Sequence, residues 1–313
     1  MTRAFLFPGQ GAQTIGMGQE IAAAWPAAKA VFEEVDDALG EKLSTLIQGG
    51  EIAELTLTRN AQPALMATSM AALAALKAEG VKLTDATFVA GHSLGEYTAL
   101  CAAGAISLGD TARLLRRRGE AMQNAVPQGQ GAMAALLELD FEVATAVAQD
   151  AAEDQVCVAA NDNAPGQVVV SGHRSAVMRA VDIAKANGAK RAVMLPVSAP
   201  FHCALMEPAA AVMARALDQV DIQPPVIPLV GNVNARAETS GMLIRDNLVR
   251  QVTGSVRWRE SVMWMAANGV TETWEIGAGR VLSGMVRRID RCLATRTVGT
   301  PDEVKAAAAA RNG

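Results

Sequence analysis

The string Gly91-His92-Ser93-Leu94-Gly95 constrains this chain more than any other feature. It follows the apolar run Thr87-Phe-Val-Ala and leads into an apolar helical pattern over 94–103. A serine framed by glycines two residues away, at a strand-to-helix turn, reads as a nucleophile elbow. So sharp a turn strains the serine backbone, and only tiny residues fit beside it. The hydroxyl is lifted clear of the sheet and set at a helix N-terminus, whose free N–H groups and positive dipole end suit a developing oxyanion. Outside that context the same five letters would describe an ordinary turn.

An elbow of this kind needs a parallel sheet around it. Residues 4–7 form an apolar run stopped by Pro8-Gly9-Gln10-Gly11, a buried strand followed by a tight loop. Helical patterns cover 17–39, 62–79 and 110–125. Such strand–loop–helix alternation predicts an α/β, hydrolase-like main domain with a mostly parallel sheet flanked by helices. After Pro127 the rhythm changes. Strands are predicted at 132–139, 156–160, 167–171 and 191–195, with helices at 141–151 and 175–187 and turn chemistry in Asn161-Asp-Asn-Ala-Pro-Gly166. The order β-α-β-β-α-β is the ferredoxin-like pattern. The expected organisation is therefore a discontinuous large domain over 1–127 and 197–313, with a small ferredoxin-like subdomain inserted over 128–196. Later elements of the large domain are helices at 204–219, 243–252, 258–268 and 281–289, and strands at 226–230, 271–275 and 295–298. The alanine run at 306–310 is expected to be a frayed helix end.

Composition removes several alternatives. The chain has 313 residues, half of them hydrophobic and 19% charged, enough apolar material for a sizeable core and too little charge for general disorder. Twenty-eight basic against 32 acidic residues leave a net charge of −4, which gives no global reason to expect nucleic-acid binding. Cys101, Cys157, Cys203 and Cys292 are widely spaced, with no CxxC, so neither a disulfide framework nor a metal site is expected. The apolar run at the N-terminus is too short for a signal peptide, and no segment approaches the ~20 apolar residues of a membrane span. A cytoplasmic protein without a membrane partner is expected.

A serine hydroxyl needs a base within hydrogen-bond reach, and the chain has only three histidines. His92 adjoins the nucleophile but should project away from it and satisfy backbone groups nearby. His173 follows Val-Val-Val-Ser-Gly and reads as a turn residue. His202 lies in Pro196-Val-Ser-Ala-Pro-Phe-His202, a proline-stiffened loop where the chain re-enters the main domain, and is the best candidate. Hydrolases of this fold place an acid between serine and histidine along the chain. Glu138, Asp140, Asp154 and Asp162 fall in that interval, yet none sits in a recognisable acid loop. A backbone carbonyl can orient Nδ1–H instead.

Two further features bear on chemistry. In Phe7-Pro-Gly-Gln-Gly-Ala-Gln13 the dinucleotide fingerprint fails, because its third glycine is Thr14, and a phosphate loop fails for want of Gly-Lys-Ser/Thr. The remaining reading is an oxyanion-hole loop, acting with the residue after the nucleophile. In Arg116-Arg117-Arg118, three consecutive helical residues cannot all face solvent. Arg118 falls toward the stripe of Leu114 and Leu115, and an inward guanidinium requires an anionic partner such as a substrate carboxylate.

These motifs, together with Gly91-His-Ser-Leu-Gly-Glu-Tyr97, Asn161-Asp-Asn-Ala-Pro-Gly-Gln167, Pro200-Phe-His202 and Glu275-Ile-Gly-Ala-Gly279, recur in order over nearly the whole chain. In this the chain resembles the malonyl-CoA:acyl-carrier-protein transacylases, the stand-alone acyltransferases of fatty-acid synthesis. The resemblance implies a malonyl-serine intermediate on Ser93, with His202 as base. It implies an oxyanion hole from the backbone N–H groups of Gln10 and Leu94, and Arg118 on the malonyl carboxylate. The main-chain carbonyl of Gln251 would orient His202, which accounts for the missing acid. It further implies no permanently bound cofactor, malonyl-CoA as substrate, and transient partnership with an acyl carrier protein that brings the phosphopantetheine thiol, the enzyme itself being a monomer. Phe201 stands where related polyketide acyltransferases that prefer malonyl over methylmalonyl carry phenylalanine.

The alternatives are a polyketide-type acyltransferase with another extender preference, a serine thioesterase or esterase, and a binding protein with an inactive elbow. An esterase gives Arg118 no task. For docking an acidic carrier protein, Arg287, Arg288, Arg291, Lys190 and Arg191 are the basic candidates.

Overall fold

The computed structural model describes residues 2–197 and 199–312; Ser198, in the loop before His202, lies outside them. The strands in chain order are β1 (Arg3–Phe7), β2 (Phe88–Gly91), β3 (Gly131–Leu137), β4 (Cys157–Ala164), β5 (Gln167–His173), β6 (Arg191–Met194), β7 (Leu229–Val230), β8 (Ala237–Glu238), β9 (Glu272–Ile276) and β10 (Ala294–Val298).

β1 and β2 are buried along their whole lengths because both faces of their sheet are covered. The six-stranded order is β10-β9-β1-β2-β7-β8. All neighbours are parallel except the β7–β8 pair. One core lies on the side of Phe5, Phe7 and Trp274, the other on that of Ala4, Leu6 and Trp258. This alternation of β1 side chains is the period of two expected of a strand between two helical layers.

The second sheet has the order β4-β5-β3-β6 with every pair antiparallel. Helices Phe141–Ala152 and Arg174–Ala186 cover one face through a separate core of alanine, valine and leucine. The connectivity is that of a ferredoxin-like unit.

Four segments depart from the sequence expectation. The helical pattern over 17–39 is two helices, Gln19–Ala24 and Pro26–Leu39, divided at Trp25, because Pro26 has no N–H to continue the first and is suited to open the second. The expected strand 226–230 is reduced to β7. The polar run 161–164 belongs to β4 and is buried, leaving only Pro165-Gly166 as the tight turn. The alanine tail is not frayed. Helix Pro301–Ala309 is opened by a capping box between Thr300 and Glu303 and buries Val304 and Ala307.

The two units are fastened where β4 meets the segment before helix Trp258–Ala267. Val256 N–H donates to Ala160 O at 2.9 Å, and Asp162 N–H donates to Val256 O at 3.0 Å. Arg259 Nε lies 3.0 and 2.9 Å from the two carboxylate oxygens of the buried Asp162.

Candidate active site

The elbow follows from three glycines. A Cβ on Gly91 would lie 1.9 Å from the Gly95 carbonyl oxygen, one on Gly95 would lie 2.2 Å from the Phe7 carbonyl oxygen, and one on Gly9 would lie 2.7 Å from the His92 carbonyl oxygen. Main chain therefore packs on main chain around Ser93, which is held at φ 53° and ψ −107°. Such a backbone persists only where its surroundings fix it. Here Asn232 does so, accepting the Ser93 N–H at 2.7 Å and donating Nδ2 to the Gly91 carbonyl at 2.7 Å.

Ser93 Oγ is 2.9 Å from His202 Nε2. The His202 loop is braced by Pro200, whose ring lies where a Cβ on Gly131 would sit, and His202 itself has φ 60°. On the other side of the ring, Nδ1 donates to the main-chain carbonyl of Gln251 at 2.8 Å. No carboxylate is needed in that place. Burial first, and the Arg118 charge second, push the His202 pKa down to about 3. The imidazole is consequently neutral, with Nε2 free to accept the serine proton.

Arg118 is buried, whereas Arg117 beside it is exposed. Its helix, Leu108–Gln123, crosses close to helix Thr58–Ala78 because Gly119 lacks a side chain; a Cβ there would lie 2.6 Å from the Thr58 carbonyl oxygen and the Arg59 Cα. Arg118 Nη1 donates to Gln62 Oε1 at 2.9 Å, and Nη2 donates to Gln251 Oε1 at 2.8 Å and to Ser93 Oγ at 3.1 Å. The guanidinium thus meets neutral oxygens only, with its carbon 5.5 Å from the centre of the Tyr97 ring. Burial draws its pKa below the usual value, against the opposing influence of Tyr97 and Glu96. An anion placed beside Ser93 would satisfy it.

The sequence-predicted residues converge on one cavity of about 410 Å³, whose lining includes Gln10, Ser93, Leu94, Arg118 and His202. Apolar residues Met133, Val169 and Leu195 line it from the small subdomain, and Phe201 lines it from the loop before His202. Gln251 lies behind His202, fully buried. The motif Glu275-Ile-Gly-Ala-Gly279 acts from below. Glu275 accepts the N–H groups of Leu282 and Ser283 at 2.9 and 2.7 Å, fixing helix Val281–Ile289 at the cavity wall. A Cβ on Gly279 would lie 3.3 Å from Ala12 Cβ, so this loop also backs the Gly9–Gly11 turn.

His92 and His173 do not reach Ser93. His92 Nε2 pairs with the Asn163 side chain at 2.8 Å, across the join between the two units. His173 Nδ1 accepts the Val156 N–H at 2.9 Å at the end of β5. Asn232 and Gln62 stand in no motif that announces chemistry, and Asn163 stands in the motif Asn161-Asp-Asn-Ala-Pro-Gly-Gln167, which announces only a turn. Glu96 carries no signal in the sequence beyond its place in Gly91-His-Ser-Leu-Gly-Glu-Tyr97. No helix among the described residues is long and apolar enough to cross a membrane, and no cluster of metal-ligating side chains occurs among them.

A strained serine on a neutral histidine, with a peptide carbonyl in place of the acid, defines the class: a serine-dependent acyl-group enzyme. Residues 4–290 match the acyl transferase domain family, and the chain belongs to it. It is 48% identical over 305 residues to the malonyl CoA-acyl carrier protein transacylase of Bacillus subtilis, covering 97% of this chain and 95% of that protein. The crystal structure of an acyl-carrier-protein S-malonyltransferase from Bartonella henselae superposes with a TM-score of 0.98 at 53% identity, covering all of both chains. A malonyl-transacylase solved in complex with its type II polyketide acyl-carrier protein gives 0.96 at 42% identity, covering 99% of each.

Proposed function

We infer that this protein moves a malonyl group from coenzyme A to the phosphopantetheine thiol of an acyl carrier protein, through a malonyl ester on Ser93, in fatty-acid synthesis. The observation that carries this reading is the buried Arg118 guanidinium 3.1 Å from the same Ser93 oxygen that lies 2.9 Å from His202. Cation and nucleophile are in contact, so an acyl group carried on Ser93 Oγ has the guanidinium beside it, which suits a diacid half-ester and gives an uncharged acyl group no partner.

The geometry supports the following course. The malonyl carboxylate pairs with Arg118. Ser93 Oγ attacks the thioester carbonyl as its proton passes to His202 Nε2, and the Gln251 carbonyl holds the imidazolium through Nδ1–H. The developing oxyanion takes the N–H groups of Gln10 and Leu94, at the Gly9–Gly11 turn and at the head of helix Leu94–Ala102. The C–S bond breaks, the coenzyme A thiolate takes the proton from His202, and the malonyl ester remains. The phosphopantetheine thiol then gives its proton to His202 and attacks the ester, and the proton returns to Ser93 as the C–O bond breaks. One thioester is exchanged for another, so the reaction is close to thermoneutral and reversible. All catalytic groups are side chains or peptide groups of this chain, and the reading requires no resident cofactor.

The division into 1–127 with 197–313, and 128–196, belongs to this reading. It is supported by separate cores, and it places the cavity where the two units meet. A cytoplasmic location, where both substrates occur in fatty-acid synthesis, belongs to it as well, as does action as a monomer. Among the basic candidates for docking, Arg191 opens β6 opposite Leu137, and Arg288 pairs with Glu138, the next residue. Arg191 and Arg288 therefore share one end of the small sheet, a setting suited to an acidic partner.

Incubation with malonyl-CoA and holo-carrier protein tests the reading. Malonyl-carrier protein should form with little free malonate. Release of free malonate as the main product would favour a thioesterase.

A further inference from the structure

Glu96 is buried one turn into the helix that begins at the elbow, at 1% exposure. Its Oε2 accepts two hydrogen bonds, from Gln251 Nε2 at 2.8 Å and from the Asn232 N–H at 3.1 Å. Both donors belong to residues that hold Ser93. Gln251 Nε2 also donates to the Ser93 carbonyl at 2.9 Å, and Asn232 clamps the Ser93 N–H and the Gly91 carbonyl. The other end of the Gln251 amide, Oε1, accepts from Arg118 Nη2, the nitrogen that faces Ser93 Oγ.

A primary amide fits its site in only one sense when its neighbours are fixed donors and acceptors. Reversed, the Gln251 NH2 would face the guanidinium, donor against donor. Its oxygen would then face Glu96 Oε2 and the Ser93 carbonyl, acceptor against acceptors. Glu96, together with the Ser93 carbonyl, therefore sets the sense of the amide, and the amide sets one arm of Arg118. Gln62 holds the other arm through Nη1. A single contact leaves a planar guanidinium free to pivot about it; two contacts fix its plane. Burial raises the Glu96 carboxyl to about 7, opposed by Gln251, Asn232 and Arg118. As a carboxylate, or as an acid with its proton on Oε1, the group keeps both lone pairs of Oε2 for the two donors.

We propose that Glu96 is a positioning residue for acyl-group selection: through the Gln251 amide it holds the Arg118 guanidinium where a carboxylate-bearing acyl group on Ser93 can meet it. The proposal rests on the reading of Arg118 as the carboxylate partner, and the test separates the two.

The test measures kcat/KM for acylation of Ser93 by malonyl-CoA and by acetyl-CoA, together with labelling of Ser93 by a fluorophosphonate, which needs only the serine–histidine pair. In Glu96→Ala the preference for malonyl over acetyl should fall by about tenfold, mainly through a higher KM for malonyl-CoA, while labelling stays within about threefold. Glu96→Gln keeps an acceptor for both donors and should retain the preference. Should the alanine variant fail to fold, Glu96→Asp, one methylene too short to reach both donors, should show the same loss. Arg118→Ala is the control. If Arg118→Ala keeps the malonyl preference, the carboxylate reading itself fails. If it loses the preference while Glu96→Ala or Glu96→Asp keeps it, only the present proposal fails. Equal losses for malonyl, acetyl and fluorophosphonate in the alanine variant, or a glutamine variant as unselective as the alanine one, would also overturn it.

Discussion

His202 Nδ1 lies 2.8 Å from the main-chain carbonyl oxygen of Gln251, so a peptide dipole occupies the place where a triad enzyme puts a carboxylate. A carbonyl selects the same tautomer as an acid but stabilises the imidazolium less. That weaker support agrees with the low basicity of His202, which burial and Arg118 together impose. It also suits an exchange between thioesters, in which the leaving thiolate is a far weaker base than the amine a protease must expel.

The ring of His202 should therefore not titrate where a free imidazole does. With its pKa pushed down to about 3, it stays neutral through pH 6.5. The unfolded chain takes up a proton near pH 6.5 that the folded chain refuses, so this contribution to stability is full above that pH and is lost as pH falls toward 3. His202→Ala should accordingly lose less stability than the parent between pH 6.5 and 4, measured by urea unfolding. In the parent the ring resonances should hold constant from pH 8 to 5; a titration centred near 6.5 would contradict the assignment.

Arg118→Ala should slow malonyl transfer far more than acetyl transfer. The carboxylate would lose its charge-assisted partner, a loss of about 2 kcal/mol or roughly thirtyfold in kcat/KM. Parallel assays with both acyl-CoA substrates decide it, and equal losses would remove Arg118 from substrate reading.

Gly91→Ala should disrupt the elbow, because its Cβ would lie 1.9 Å from a carbonyl oxygen that cannot move without the helix behind it. A loss of stability of about 3 kcal/mol and of Ser93 labelling is expected, by urea unfolding and mass spectrometry. Gly188→Ala serves as the comparison. Its φ of 93° strains an alanine as well, but no atom lies within 4 Å of the new Cβ. It should fold less stably and still label.

Glu275→Ala should leave the N–H groups of Leu282 and Ser283 buried without their acceptor. The expected loss is about 3 kcal/mol in unfolding free energy, with a higher KM for malonyl-CoA because helix Val281–Ile289 lines the cavity. Unchanged unfolding would show that the carboxylate is not the helix cap.

The elbow was legible in the sequence because its chemistry is local: two glycines, a strand and a helix announce Ser93. His202 was legible by elimination among three histidines and by the prolines around it. Gln251 was not legible from its own residue type, since the group that touches His202 is a peptide carbonyl that any residue carries. It entered through resemblance. The run Asn161-Asp162-Asn163 reads as a turn in the sequence because polar residues in a buried strand have meaning only through distant partners. Those partners are Val256, Arg259 and His92, and nothing near position 161 points to them. Asn232 is similar, because its role depends on a loop more than 130 positions away in sequence. Short helices such as Leu43–Gly49 and Ile52–Thr56 hold too few residues to set a period.

The central claim is that Ser93 carries a malonyl ester between two thiols, and intact-mass analysis tests it most directly. After malonyl-CoA the protein should gain one malonyl group, mapped to the peptide containing Ser93, absent from Ser93→Ala and discharged on addition of holo-carrier protein. An adduct that survives in Ser93→Ala, maps elsewhere, or fails to leave with the carrier protein would contradict the account.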